Sequence, residues 1–149
     1  MQEVFLARQP IVDRKESLCA FELLFRSGNR AGADVVDDTH ATAQVMANAF
    51  GGMGIGEVLG THKGFLNLGA EFLFSDTIEL LPKKQVVLEL LETITINDSI
   101  IARCQELKMM GFSLALDDVA VLRDEIKPLL DMVGVVKLDL MQIDPARLP

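Results

Sequence analysis

Residues 85–118 read QVVLELLETITINDSIIARCQELKMMGFSLALDD, and the way this stretch folds decides the architecture. QVVLELLE is an apolar run with Glu89 set inside it, and FSLALDD is a second apolar run that ends in Asp117 and Asp118. Between them NDSIIARCQELKMMG reads as a helix capped by Asn97 or Asp98 and stopped by Gly111. Strand, helix and strand in that order predict a parallel pair covered by its crossover helix. The doublet Asp117–Asp118 has no basic residue beside it in the chain, which raises the question of what neutralises it.

The same rhythm extends in both directions. GFLNLG is a strand followed by AEFLFSDTIELLP, one or two short helical turns, and after FSLALDD come the helical LRDEIKPLLDMV, with Pro128 near its start, and the strand GVVKLDL. At the beginning, VFLARQPIVD and SLCAFELLFR are joined by the polar turn DRKES as an antiparallel hairpin. RSGNRAGADVVDD is a polar connection, and THATAQVMANAF, residues 39–50, places Ala41, Val45, Met46 and Ala49 at helical spacing.

An α/β fold with a largely parallel sheet follows, and both a Rossmann-like sheet and a (βα) barrel satisfy the alternation. GGMGIGEVLG follows a helix rather than a strand, so its glycines predict a helix stop and a loop more than a phosphate cradle. A barrel gathers polar residues from the ends of many strands, which is the pattern here. In DLMQIDPARLP, Asp144 is an N-cap and Pro145 a first helical position. A whole barrel takes about 250 residues, so residues 1–149 are expected to be one domain, a partial barrel incomplete at its C-terminal end with a strand edge to be covered.

Half of the residues are apolar, enough for a core, and the net charge is −8 with no Lys or Arg run, which excludes a nucleic-acid polymer held through its phosphates. Cys19 and Cys104 are far apart without zinc-ligand spacing, and are expected to be free thiols; His40 and His62 form no pair. No apolar run approaches the ~20 residues that span a bilayer. The expectation is a soluble cytoplasmic protein, with self-association through the open edge.

Strand parity groups the polar interruptions: Asp117 lies with Ser113 and Ala115, Asp118 with Leu114 and Leu116, Glu89 with Val87, Asn67 with Phe65, and Lys137 with Val135 and Asp139. Glu22 interrupts AFELLF. Converging carboxylates repel and take up protons unless a cation joins them. Glu22, Asn67, Glu89 and Asp117 are oxygen ligands of the kind hard ions such as Mg²⁺ or Mn²⁺ prefer, and Asp118 is placed to reach a second ion. Simple surface pairing is the alternative: Glu22 with Arg26, Glu89 or Glu92 with Lys83 or Lys84, and Lys137 with Asp139.

These residues resemble the EAL domains, bacterial phosphodiesterases of the second messenger cyclic di-GMP, over essentially the whole chain but only over the N-terminal part of the family domain. FELLFR resembles the family's signature segment, with Leu23 where alanine is usual. The resemblance implies Glu22, Asn67, Glu89 and Asp117 as metal ligands for Mg²⁺ or Mn²⁺ and Asp118 as the second aspartate serving the metals. It also implies Lys137 in VKLD as the residue that orients the attacking water, Gln9 in RQPIV and Arg26 as ligand contacts, and Glu92 as the support of a neighbouring loop. The implied fold is a modified TIM barrel whose first strand runs antiparallel. Val119 to Leu122 replace the family's Phe-Gly-Thr-Gly loop, and Leu91 stands where threonine is usual. FLARQPI, ELLFRSG and ATAQVMANAF are most similar to the divergent EAL domains that precede an HDOD domain. That implies weak or absent hydrolysis, or a module that binds cyclic di-GMP or a protein partner without turnover.

Overall fold

The computed structural model describes residues 4–27, 54–120 and 123–147, with side chains over 6–24, 54–120 and 123–146. Strands β1 (Val4–Val12) and β2 (Leu18–Ser27) form the antiparallel hairpin, with Gln9 opposite Glu22. Asp13 builds the turn: its Oδ1 accepts from the backbone N–H of Lys15 and Ser17 at 2.7 and 3.0 Å. From β2 onward, β3 (Lys63–Leu68), β4 (Val86–Leu90), β5 (Ser113–Val119) and β6 (Val135–Leu138) all pair in parallel.

The sheet order is β1-β2-β3-β4-β5-β6, each strand laid beside its predecessor. A doubly wound sheet reverses its strand order at a switch point, whereas sequential addition is the order of a barrel, so the sheet is a half-barrel. Among the described residues no helix is long and apolar enough to cross a membrane.

Among the described residues four helices accompany the strands: α1 (Ile55–Leu59), α2 (Ala70–Leu73), α3 (Asp98–Met109) and α4 (Lys127–Leu130), with 3-10 turns at Asp76–Leu80, Asp124–Ile126 and Pro145–Arg147. α3 starts and stops where the sequence indicates. Asn97 Oδ1 accepts the Ile100 N–H at 3.0 Å, and Gly111, at a φ of 99°, turns the chain out of the helix. Asp144 Oδ1 likewise accepts the Ala146 N–H at 3.0 Å. The helix expected over 39–50 lies outside the described residues.

GGMGIGEVLG departs from the expected loop, because its second half is α1. Gly54, at a φ of 57°, leads into the helix, and Ile55 and Leu59, four apart, share the buried face. Gly64 makes room for this helix. A Cβ there would come within 2.9 Å of both Leu59 Cδ1 and Leu23 Cδ1, so glycine is what lets α1 and β2 close over β3.

The strands separate two apolar layers. On the outer face Leu66, Leu68, Leu88, Leu90, Leu114 and Leu116 pack with Ile100, Cys104 and Leu107 of α3. On the inner face Ala20, Phe65, Val87 and Ala115 form a smaller cluster with Ile11 against it. β4 is buried at all five positions, which explains why VVLEL is a continuous apolar run rather than an alternating one. Arg103 fastens α3 to the β3–β4 connection, donating to the Leu73 carbonyl at 3.0 Å and pairing with Glu79 at 3.4 Å and with Glu106. Cys104 is a buried free thiol whose pKa burial pushes up to about 11, and Cys19 is free and exposed.

Candidate metal centre

Register carries the polar residues to one layer. Asn67 lies beside Glu89, Glu89 beside Ala115, and Ala115 beside Val135, so Asn67, Glu89, Asp117 and Lys137 share the inner face toward the C-terminal ends of β3, β4, β5 and β6. Glu22, paired with Phe65, joins them from β2, and Gln9, opposite Glu22, occupies the same face of β1 as an exposed residue. Directly beneath sits the inner apolar cluster.

The side chains meet. Asn67 Nδ2 donates to Glu22 Oε1 at 3.1 Å. Lys137 Nζ donates to Glu22 Oε2 at 3.3 Å and to Asp117 Oδ1 at 3.5 Å, and stands 2.7 Å from Glu89 Oε1 in a charge contact. Thus the doublet does have a basic neighbour, supplied by the next strand and invisible in the local sequence. Lys137 chooses these three carboxylates rather than Asp139, whose Oδ1 accepts the Met141 N–H and whose Oδ2 accepts from Gln142. Lys83 lies over the Phe112 ring, and Glu89 is paired with Lys137 instead of a surface lysine.

One ammonium is insufficient for three carboxylates. Glu89 is completely buried, and burial pushes its carboxyl up to about 7; Lys137 pulls it back, while Asp117 and Glu22 add to the rise. Burial opposes the charge on Lys137, but its contact with Glu89, and then Asp117 and Glu22, prevail and raise its pKa. Both carboxylate oxygens of Glu89 and Asn67 Oδ1 are buried with no hydrogen-bond partner among the described residues. Buried oxygens without donors are costly, and hard cations are what such a donor set suits. Glu22, Asn67, Glu89 and Asp117 thus offer oxygen donors of the type a hard divalent cation takes, while the group of acidic residues whose oxygens come within 4.8 Å of one another among the described residues is Glu92, Asp117 and Asp118.

Asp118 does not follow simple alternation. Parity alone would send it to the outer face with Leu114 and Leu116. The register shifts between Leu116 and Val119, and Asp118 adopts a φ of 48°, a left-handed conformation that aspartate tolerates better than most residues. A carboxylate oxygen of Asp118 then lies within 4.8 Å of oxygens of Asp117 and Glu92, a second acidic group that shares Asp117 with the first. Asp117 raises the pKa of the exposed Asp118, with slight desolvation, Glu92 and Asp139 acting in the same direction.

Beside this group opens a cleft of about 780 Å³, lined by Glu92, Thr93, Asp117, Asp118, Arg123 and Gln142 among others. Arg123 and Gln142 carried no strand-end signal in the sequence; the Asp139–Gln142 hydrogen bond, three residues apart after β6, is what brings Gln142 to the cleft. Arg26 has its backbone in β2, and its side chain lies outside the described set.

No family model matches the chain. It is 36% identical over 143 residues to the uncharacterized protein YuxH of Bacillus subtilis, covering 93% of this chain and 35% of that protein. It is 33% identical over 142 residues to the cyclic di-GMP phosphodiesterase CdgJ of Vibrio cholerae, covering 95% of this chain and 33% of that protein. The chain thus spans about a third of the length of these curated relatives. Among solved structures, the PaMucR phosphodiesterase in its c-di-GMP complex superimposes with a TM-score of 0.68 at 18% identity, covering 91% of this chain and 69% of that one. The EAL domain of Mycobacterium smegmatis DcpA gives 0.63 at 20% identity, covering 92% and 66%.

Proposed function

We propose that this chain, an EAL-domain fold in divergent form, is part of a bacterial cyclic di-GMP signalling protein and engages the messenger at the inner polar layer with the help of a divalent ion. The observation that carries the reading is the convergence of Glu22, Asn67, Glu89 and Asp117 around buried oxygens that no donor among the described residues satisfies. When bound, Mg²⁺ or Mn²⁺ supplies charge neutralisation for a phosphodiester and lowers the pKa of water.

The chain's own groups do the rest. Glu22 and Asn67 hold one another, which fixes the β2–β3 side of the site before any ligand arrives. Lys137 donates to Glu22 and Asp117, and the orientation of an attacking water is assigned to its remaining hydrogen. Asp118, presented at the cleft, and Gln9, on the same sheet face as Glu22, are candidates to contact water and ligand, and Arg26 is assigned a phosphate. Glu92, with a carboxylate oxygen within 4.8 Å of oxygens of Asp117 and Asp118, is assigned the support of the neighbouring loop.

Hydrolysis requires water to attack phosphorus as the P–O bond to the leaving sugar oxygen breaks and that oxygen gains a proton. The Val119–Leu122 run offers no glycine to shape a loop over that event, and the reading is therefore binding with weak or no turnover. The side of β6 that pairs with no strand among the described residues, with exposed Leu138, Leu140 and Met141 nearby, supports an HDOD or other protein partner or a second copy of the chain. A cytoplasmic location is part of the same proposal.

Calorimetry with cyclic di-GMP, with and without Mg²⁺, tests the reading, with chromatography of the mixture for the linear dinucleotide. Metal-dependent binding without appreciable product is expected. Absence of binding under both conditions refutes the messenger as ligand; sustained product refutes the weak turnover.

A further inference from the structure

Lys137 Nζ stands among Glu22, Glu89 and Asp117 at 3.3, 2.7 and 3.5 Å, contacts from three different strands. A hard divalent ion takes carboxylate oxygens at about 2 Å, so an ion held by the same oxygens needs the space the ammonium now fills. We infer that Lys137 is a tethered counter-ion that a divalent metal must displace, and that this one side chain sets the metal affinity of the site. The inference rests on the metal reading above and goes beyond it by assigning control of occupancy to a residue.

Three features support displacement over co-occupancy. First, two cations within a few ångströms repel, and in a partly buried site solvent screens them poorly. Second, the ammonium leaves work undone: it donates to Glu22 and Asp117 and meets Glu89 Oε1 only as a charge contact, while Asn67 Oδ1 and both Glu89 oxygens have no hydrogen-bond donor among the described residues. An ion with six or more coordination positions reaches oxygens that the ammonium cannot. Third, Lys137 has a way out. Its side chain is 26% exposed on a four-carbon stem, whereas Glu89 is 0% exposed, so the cation can swing toward solvent while the carboxylates remain. The displaced ammonium stays tethered at the rim of the site, where it can still donate to water.

The metal-free site is accordingly held together by its own cation, and the same cation weakens metal binding. The test is Mn²⁺ calorimetry on the full chain, Lys137→Met and Lys137→Arg, in parallel with reductive methylation of the unsubstituted chain read by mass spectrometry with and without Mg²⁺. Lys137→Met is expected to bind Mn²⁺ at least tenfold more tightly, whereas Lys137→Arg, which keeps the charge, gains nothing. Methylation of Lys137 is expected to rise several-fold in saturating Mg²⁺ while that of Lys83 and Lys84 stays constant. Unchanged or weaker Mn²⁺ affinity in Lys137→Met, or Lys137 reactivity that Mg²⁺ leaves unchanged, overturns the counter-ion role and leaves the metal site standing. No Mn²⁺ binding by either the parent or Lys137→Met overturns the metal site itself and this inference with it. Should Lys137→Met not fold, the methylation result on the parent decides.

Discussion

Replacing Glu89 by glutamine removes a carboxylate from a completely buried position without changing its shape. Burial lifts its folded pKa from 4.5 to about 7, a figure already net of the attraction to Lys137. A carboxyl whose folded pKa exceeds its unfolded value holds its proton more tightly when folded. It therefore costs nothing below about pH 4.5, costs more as pH climbs, and reaches its full penalty above about pH 7. At roughly 1.4 kcal/mol per pKa unit the penalty is about 3 kcal/mol. Urea unfolding of parent and Glu89→Gln in the presence of a chelator, at pH 4.5 and pH 8, isolates it, since every other titrating group is common to both. The two proteins are expected to match at the lower pH, and Glu89→Gln to be more stable by about 3 kcal/mol at the higher, or ~10 °C in Tm. Equal stability at pH 8, or a less stable variant there, refutes the reasoning, because it means that Lys137 already compensates the buried charge in full.

Saturating Mg²⁺ narrows that gap: at a hundredfold excess over Kd the parent gains about 2.7 kcal/mol, and Glu89→Gln, lacking a charged ligand, gains less, as denaturant titration with and without Mg²⁺ records. Gly64→Ala, which puts a Cβ 2.9 Å from Leu23 and Leu59, is expected to destabilise by about 1–3 kcal/mol in thermal unfolding. Asn97→Ala leaves the Ile100 N–H without its 3.0 Å cap and is expected to lose about 1 kcal/mol, with the loss visible as reduced hydrogen-exchange protection in the first turn of α3. At Asp118 the left-handed φ of 48° separates two variants. Asp118→Asn keeps a residue that accepts this conformation, whereas Asp118→Val is expected to lose about 1–2 kcal/mol in urea.

The β4–α3–β5 unit was legible because every signal in it is local. Asn97 and Gly111 punctuate the helix, the apolar runs mark the strands, and nothing distant has to be known. The same holds for the hairpin and for the Asp144 cap. α1 was not legible, because at five residues its only pattern is the Ile55–Leu59 pair, and the glycines around it speak for a loop until β2 and β3 are there to receive those side chains.

At the site, strand parity correctly grouped Glu89, Asn67 and Asp117, and it failed at Asp118, where a register shift cancels alternation. The position of Lys137 is a tertiary fact. Its partner Glu22 is 115 residues away, and only the sequential strand order and the curl of the sheet bring the two together. Family likeness indicated which residues to watch; the central place of the lysine came from the coordinates.

The cluster of Ala20, Phe65, Val87 and Ala115 works as a stopper under the acidic residues. With hydrocarbon beneath it, the acidic layer meets water along its loop-side rim, where Glu22, Asp117 and Lys137 keep part of their surface exposed. Whatever the rim admits or shuts out therefore governs both the rate of ion exchange and the rate at which Glu89 gains or loses its proton.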